Sequence, residues 1–284
     1  RYCYRHPDRE TGLSCSECDR PICYECMTPA PVGLRCPEHS GKPQGVQRVT
    51  RPAQRAVTGV GARRTNLITL TLIGINVLVY LAELAAGGTV DGQSNTIYDH
   101  GALVTTAQYG PGGALVGVAH GEWWRLFTAA FLHYGPLHLG LNMYSLYLTG
   151  SLLEHVVGRW RFLLLYVVAG LAGSAGALIA SPNAITVGAS GAIFGVFGAL
   201  FVLERARHIA SGGQIAALIV LNLVFSFLLP GISIGGHIGG LIGGAVLMWV
   251  LLNVRRSNAL SFAASVAAGA IAIAVAIWRA RGYA

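Results

Sequence analysis

Gly188-Ala189-Ser190-Gly191-Ala192-Ile193-Phe194-Gly195 sets one hydroxyl among small residues at the head of an otherwise apolar helix. Small residues let membrane helices approach closely, so packing is the ordinary reading of such a serine. The surroundings identify the medium. Of 284 residues, 53% are hydrophobic and only 11% are charged, whereas soluble domains carry about 25% charged residues. This balance belongs to a chain that crosses a bilayer several times. A crossing helix needs ~20 apolar residues, which predicts spans near 67–86, 138–157, 161–180, 190–204, 214–230, 234–252 and 259–278.

The arginines orient these spans. The formal net charge is +8, but no Lys/Arg stripe interleaved with aromatics appears, so a nucleic-acid partner is excluded. Arg159 and Arg161, Arg205 and Arg207, and Arg255 and Arg256 fall in alternate loops, while loops 181–189 and 230–233 have no Lys or Arg. Positive loops stay in the cytosol. The N-terminus is therefore expected inside and, after seven spans, the C-terminus outside, in a bacterial plasma membrane. Arg125, Arg279 and Arg281 depart from the bias. Residues 41–66 are Gly/Pro-rich and basic with no acid. They read as a flexible tether lying against anionic lipid headgroups. The loop 87–137 ends in Glu122-Trp123-Trp124-Arg125, and paired tryptophans beside a charge favour the bilayer interface.

Ionisable and polar residues inside spans are costly and need a reason. His138 and Asn142 open the second span at i, i+4, on one helical face. Ser190 opens the fourth, and His237 opens the sixth within Gly235-Gly236-His237-Ile238-Gly239-Gly240. Even-numbered spans run from outside to inside, so all four residues share one depth below the outer face. Each alone reads as packing, a satisfied core histidine or interhelical glue; together they read as a site. Two glycine stripes, Gly235/Gly239/Gly243 and Gly236/Gly240/Gly244, face Gly191 and Gly195 in this reading, allowing an imidazole to reach a hydroxyl on the neighbouring helix. Outside residues 1–40 the acids are Glu83, Asp91, Asp99, Glu122, Glu154 and Glu204. None in spans three to seven lies at that depth. If Ser190 is a nucleophile, His237 is its general base without a carboxylate partner. The Ser190 N–H, Asn142 and His138 are the oxyanion-donor candidates.

All six cysteines lie between Cys3 and Cys36, in Cys3-x2-His6, Cys15-x2-Cys18, Cys23-x2-Cys26 and Cys36-x2-His39. Four chelating pairs make eight ligands, enough for two closed structural Zn2+ sites. A disulfide cluster is disfavoured because two histidines fall at chelate spacing. The order resembles a B-box-type zinc finger. That resemblance implies interleaved pairing: Cys3, His6, Cys23 and Cys26 on one ion, Cys15, Cys18, Cys36 and His39 on the other. Sequential pairing stays open. Regulation, binding of a cytosolic protein partner and a ubiquitin-ligase-like role are all compatible with this head.

The membrane motifs resemble those of the rhomboid family of intramembrane serine proteases. Gly188-Ala189-Ser190-Gly191 is similar to its G-x-S-G motif, His138-x3-Asn142 to its H-x3-N motif, and His237 in a glycine-rich sixth span to its base. Trp124-Arg125 and Gly150-x2-Leu153-Glu154 match two further motifs. The resemblance implies an all-α polytopic fold and a Ser190–His237 dyad, with His138, Asn142 and the Ser190 amide holding the oxyanion. It also implies cleavage of transmembrane protein substrates near the outer leaflet, with no cofactor for catalysis. The implied layout is a zinc head at 1–40, the linker 41–66, a six-span core at 67–254 and a seventh span within 255–284, a 6+1 arrangement. Where some relatives place Tyr beneath the histidine, this chain has Phe194. An inactive client-binding relative, or a channel or transporter, is the alternative; the former typically lacks the serine or histidine, and the latter would want polar groups at the midplane.

Overall fold

The computed structural model describes residues 1–30, 33–40, 66–89, 95–108, 112–228, 231–254 and 257–283. They belong to two compact units, Arg1–Thr65 and Asn66–Ala284. The predicted linker falls at 41–65 outside the described residues, as do Arg255, Arg256 and Asp91.

The first unit is small and has little regular structure. Strands β1 (Tyr2–Cys3) and β2 (His6–Glu10) pair antiparallel, as do β3 (Thr28–Pro29) and β4 (Leu34–Arg35), and a single turn α1 (Pro37–Ser40) follows. Its interior is Ile22 with Cys3, Cys15, Cys23, Cys26 and Cys36. One aliphatic side chain among thiols supplies little hydrophobic driving force, so this unit depends on its sulfur cluster for order.

The second unit is helical. Among its described residues, α2 (Leu67–Ala85) is followed by a loop region holding α3 (Thr96–Gly101), a hairpin of β5 (Ala107–Gln108) and β6 (Leu115–Val116), and α4 (Arg125–Thr128). Then α5 (Pro136–Ser145) runs through a π-helical stretch at Leu146–Gly150 into α6 (Ser151–Val157) as one rod. After it come α7 (Arg159–Ala180), α8 (Ser190–Arg205), α9 (Gln214–Leu228), α10 (Ile234–Val254) and α11 (Asn258–Arg281). Helices α2, α7, α10 and α11 are long and apolar enough to cross a membrane. The seven apolar rods occupy the predicted spans, and the chain is an integral membrane protein of all-α, rhomboid-like architecture. Pro136 sits in the first turn of α5, where its missing N–H costs nothing.

Helices α7, α8 and α10 form the centre. Large side chains including Phe162, Leu165, Tyr166, Phe197, Leu200 and Leu203 fill the core, which Leu247 and Met248 of α10 join. Glycine decides how close α10 comes. A Cβ on Gly240 or Gly244 would strike the backbone carbonyl of Gly191 or Gly195 on α8, whereas one on Gly235 or Gly239 would strike that of Gly176 or Ala172 on α7. The two stripes therefore serve different neighbours. The expectation that both face Gly191 and Gly195 is corrected: one does, and the other seats α7 through Gly176, because a helix wedged between two others needs a small face on each side.

The 87–137 region is a built structure rather than a strand of connector. Leu103, Val118, Leu126 and Ala129 pack with Ala175 and Leu178 of α7 and Ala276 and Ala280 of α11. The seventh helix thus braces the loop region against α7. Arg125 is fully buried; its Nε donates to Glu122 Oε2 at 2.6 Å and its Nη1 to the Asp99 and Ala102 carbonyls at 2.7 and 2.8 Å. This clamp explains why one arginine departs from the charge bias. Trp123 and Trp124 remain half exposed, and the Trp124 indole N–H donates to the His100 carbonyl.

Candidate active site and metal clusters

Three helix N-termini, those of α5, α8 and α10, converge. Gly188 has φ +119°, which bends the chain into α8 and presents Ser190 at its first position. His237 lies on the first turn of α10, and its Nε2 is 2.8 Å from Ser190 Oγ. The imidazole is stacked on Phe194, one turn below the serine, with centroids 4.0 Å apart and 15° between planes. Phe194 in turn meets Phe197, with centroids 5.3 Å apart. The glycine contacts between α8 and α10 set this approach, since any side chain at Gly240 would hold the helices apart.

The second helix contributes from above Gly188. A Cβ on Gly188 would come within 2.7 Å of His138 Cε1, 2.8 Å of its Nε2 and 3.8 Å of Asn142 Nδ2. Both side chains therefore lie against the backbone just ahead of the serine. The Tyr134 N–H donates to His138 Nδ1 at 3.3 Å. That fixes the neutral ring with its proton on Nε2, so His138 offers a donor on the side facing Gly188. Asn142 Nδ2 donates to the His138 carbonyl at 3.0 Å, using one of its two N–H groups. The structure thus brings Ser190, His237, His138 and Asn142 into one locus, with donors on one side of the hydroxyl and an imidazole on the other.

Two nearby residues escaped the sequence reading. Ser226, near the C-terminal end of α9, has its Oγ 2.6 Å from His237 Nδ1 and donates to the Asn222 carbonyl at 2.7 Å. His133 is buried, its ring 5.1 Å from that of His138, and its N–H faces Glu83 of α2. The signal for Ser226 was present: Asn222-x3-Ser226 is a polar i, i+4 pair in an apolar span. Odd-numbered spans end where even-numbered ones begin, so depth matching extended to those ends would find it. His133 precedes the second span, and no periodicity marks it. Among the described residues, no carboxylate bonds to His237.

Known proteins resemble this part of the chain. Residues 120–254, just under half of the chain, are similar to the rhomboid domain. The rhomboid protease GluP of Bacillus subtilis is 41% identical over 124 residues, 42% of this chain and 24% of GluP. The putative rhomboid protease YdcA of the same organism is 40% identical over 119 residues, 42% of this chain and 60% of YdcA. RHOMBOID-like protein 1 of Arabidopsis thaliana is 38% identical over 108 residues, 38% of this chain and 28% of that protein. The chain thus spans between a quarter and three fifths of these relatives' lengths, and the N-terminal unit lies outside the matched domain.

That unit holds two ligand clusters. Cys3, His6, Cys23 and Cys26 form one and Cys15, Cys18, Cys36 and His39 the other, each with its donor atoms within 4.8 Å of one another. The grouping is the interleaved one. A tetrahedral zinc with bonds of about 2.3 Å to sulfur and 2.0–2.1 Å to nitrogen sets S···N edges of about 3.5 Å and S···S edges of about 3.8 Å. His6 Nδ1 stands 3.3 Å from the Cys23 and Cys26 sulfurs and 3.8 Å from that of Cys3. In the second cluster, Cys36–His39, Cys15–His39 and Cys18–Cys36 measure 3.1, 3.9 and 3.9 Å. The donors fit a tetrahedral ion. Burial raises the Cys15 thiol, but N–H donors of Glu17, Cys36 and Cys18 outweigh it and bring it down to about 6. Burial and the neighbouring Cys23 and Cys3 sulfurs instead push Cys26 up to about 12. Packing several sulfurs this closely favours a divalent cation that neutralises them.

Proposed function

We propose that this rhomboid chain is an intramembrane serine protease that hydrolyses a peptide bond in or beside a substrate's transmembrane helix. The observation that carries the proposal is the 2.8 Å contact between His237 Nε2 and Ser190 Oγ, with His138 and Asn142 gathered beside Gly188. Ser190 Oγ attacks the scissile carbonyl carbon while its proton passes to Nε2. The resulting oxyanion accepts hydrogen bonds from the Ser190 N–H, Asn142 Nδ2–H and His138 Nε2–H, worth about 3–4 kcal/mol for a single well-placed donor. His237 then returns the proton to the leaving amine, and the acyl-enzyme forms. A water, deprotonated by Nε2, releases the acid product. The face of Phe194 under the ring favours the imidazolium of the intermediate by about 1 kcal/mol.

The rhomboid dyad lies at the N-terminal ends of α5, α8 and α10. With Arg159 and Arg161 opening α7 just past the far end of the α5–α6 rod, and Arg205 and Arg207 at the far end of α8, the inside-positive bias supports a site near the outer face, a cytosolic N-terminus and an external C-terminus. A bacterial plasma membrane fits this arrangement. The two clusters of the first unit hold one structural Zn2+ each, in a B-box-like module that regulates the protease or binds a cytosolic protein. Zinc there supplies folding energy and no catalytic step. Cleavage of a reconstituted transmembrane substrate by wild type, and its loss in Ser190→Ala and His237→Ala at equal expression, is the expected result. Turnover retained by Ser190→Ala removes the mechanism.

A further inference from the structure

A serine–histidine dyad leaves the second imidazole nitrogen without an assigned task. We infer that Ser226 is a positioning residue that holds His237 in the tautomer able to act as a base. The inference rests on the dyad reading and on the count of protons at Ser226. Ser226 Oγ has two short contacts, 2.7 Å to the Asn222 carbonyl oxygen and 2.6 Å to His237 Nδ1. A hydroxyl carries one proton and accepts at its lone pairs. A carbonyl oxygen only accepts, so the Ser226 proton must point at Asn222 for that contact to be a hydrogen bond. The Nδ1 contact is then a hydrogen bond only if the imidazole donates, with its proton on Nδ1. A neutral ring protonated at Nδ1 has its lone pair at Nε2, facing the Ser190 hydroxyl 2.8 Å away.

The chain of bonds is therefore Ser190 O–H to Nε2, Nδ1–H to Ser226 Oγ, and Ser226 O–H to the Asn222 carbonyl. Every donor has an acceptor. The opposite orientation, with Ser226 donating to Nδ1, puts the proton on Nε2, sets two lone pairs against each other at Asn222 and blocks the transfer from Ser190. A carboxylate performs this orienting task in a triad; here a neutral hydroxyl does it. The price of burying a charge near the hydrocarbon core is avoided. When Nε2 takes the proton, Nδ1–H stays bonded to Ser226, whose oxygen faces the developing imidazolium.

The seat is specific to Ser226. It is buried, whereas its neighbours Phe225, Phe227 and Leu228 on α9 are exposed. Phe194 packs against the face of the imidazole and makes no bond to its edge, so stacking limits tilt and Ser226 limits rotation about the ring axis.

The test uses the full-length zinc-loaded protein in micelles, with 15N-labelled histidine and a transmembrane substrate. The His237 resonances are assigned by their loss in His237→Gln. In wild type, the nitrogen shifts are expected to show Nδ1–H and unprotonated Nε2. Ser226→Ala should lower kcat about tenfold to a hundredfold, the range seen when a partner that orients a metal-bound imidazole is removed. KM should stay within about twofold, and the His237 signals should move toward a tautomer mixture. Ser226→Thr, which keeps the hydroxyl, should restore both readouts. Nε2–H in wild-type protein overturns the inference even if Ser226→Ala does not fold, and so does a Ser226→Ala protein with wild-type kcat and tautomer. Turnover by Ser190→Ala would instead overturn the dyad itself, a separate failure visible in the same experiment.

Discussion

Replacing Glu154 with Ala should loosen the first apolar helix without touching the dyad. Asn66 precedes α2 but makes no capping bond with its side chain, so the first N–H groups of α2 need another acceptor. Glu154 of α6 supplies it. Its carboxylate accepts from the Ile68 N–H at 3.0 Å, the Thr69 N–H at 2.9 Å and the Thr69 hydroxyl at 2.8 Å. Thr69 and Glu154 are both buried, so water is a poor substitute. A hydrogen bond to a charged group is worth about 1.5–3 kcal/mol, and the favourable end of the helix dipole adds about 0.3–1 kcal/mol. Three such bonds share one carboxylate and are not additive, which brings the expected loss to about 3–5 kcal/mol for Glu154→Ala. Glu154→Gln keeps one acceptor oxygen and should lose about 1–2 kcal/mol by the same count. Equilibrium unfolding in mixed micelles, followed by far-ultraviolet circular dichroism, measures both. A Glu154→Ala protein within about 0.5 kcal/mol of wild type would refute the claim that this carboxylate caps α2.

Four further outcomes are expected. Gly240→Val puts side-chain carbon into the Gly191 carbonyl and should abolish turnover and lower the unfolding midpoint. Gly140→Ala, which meets nothing within 4 Å, should be neutral or stabilising by up to about 1 kcal/mol. Phe194→Leu removes the ring stacked on His237 at similar volume. It should lower kcat about threefold to tenfold, read as initial rates against substrate concentration, because about 1 kcal/mol of cation–π support is lost. Metal analysis of the purified chain should find two zinc ions. Cys3→Ser should leave one, as should Cys36→Ser, and a chelator should melt the first unit's circular dichroism signal while leaving the helical signal intact.

Much of this architecture was readable from residues. Seven apolar segments of near-spanning length mark the helices directly, and arginine placement predicts which ends of those helices lie together. From there, Ser190, His237, His138 and Asn142 share a depth by counting alone, and the structure brings their side chains to one point. Depth does not specify neighbours, however. The Gly235/Gly239/Gly243 stripe turned out to face α7 because helix order around a bundle is set by packing, which a periodic pattern does not encode. Ser226 is hard to read for a related reason: it lies at the end of a span, and only its shared depth with His237 marks it. The region 87–137 was harder still. Its order comes from a buried Arg125 reaching the Asp99 and Ala102 carbonyls, contacts between segments that no local motif announces. In the first unit, eight ligands at fixed spacing left the pairing open, and only the fold, with the donor atoms in hand, distinguishes interleaved from sequential.

The proposed mechanism makes Ser190 a nucleophile activated by His237. Its most direct test is reaction of the purified protein with a fluorophosphonate, followed by mass mapping of the adduct and a parallel cleavage assay. One adduct is expected, on Ser190, forming at the rate at which cleavage is lost and absent from His237→Ala. An unmodified Ser190 in a fully inhibited enzyme, or equal labelling of Ser190 in His237→Ala, would contradict it.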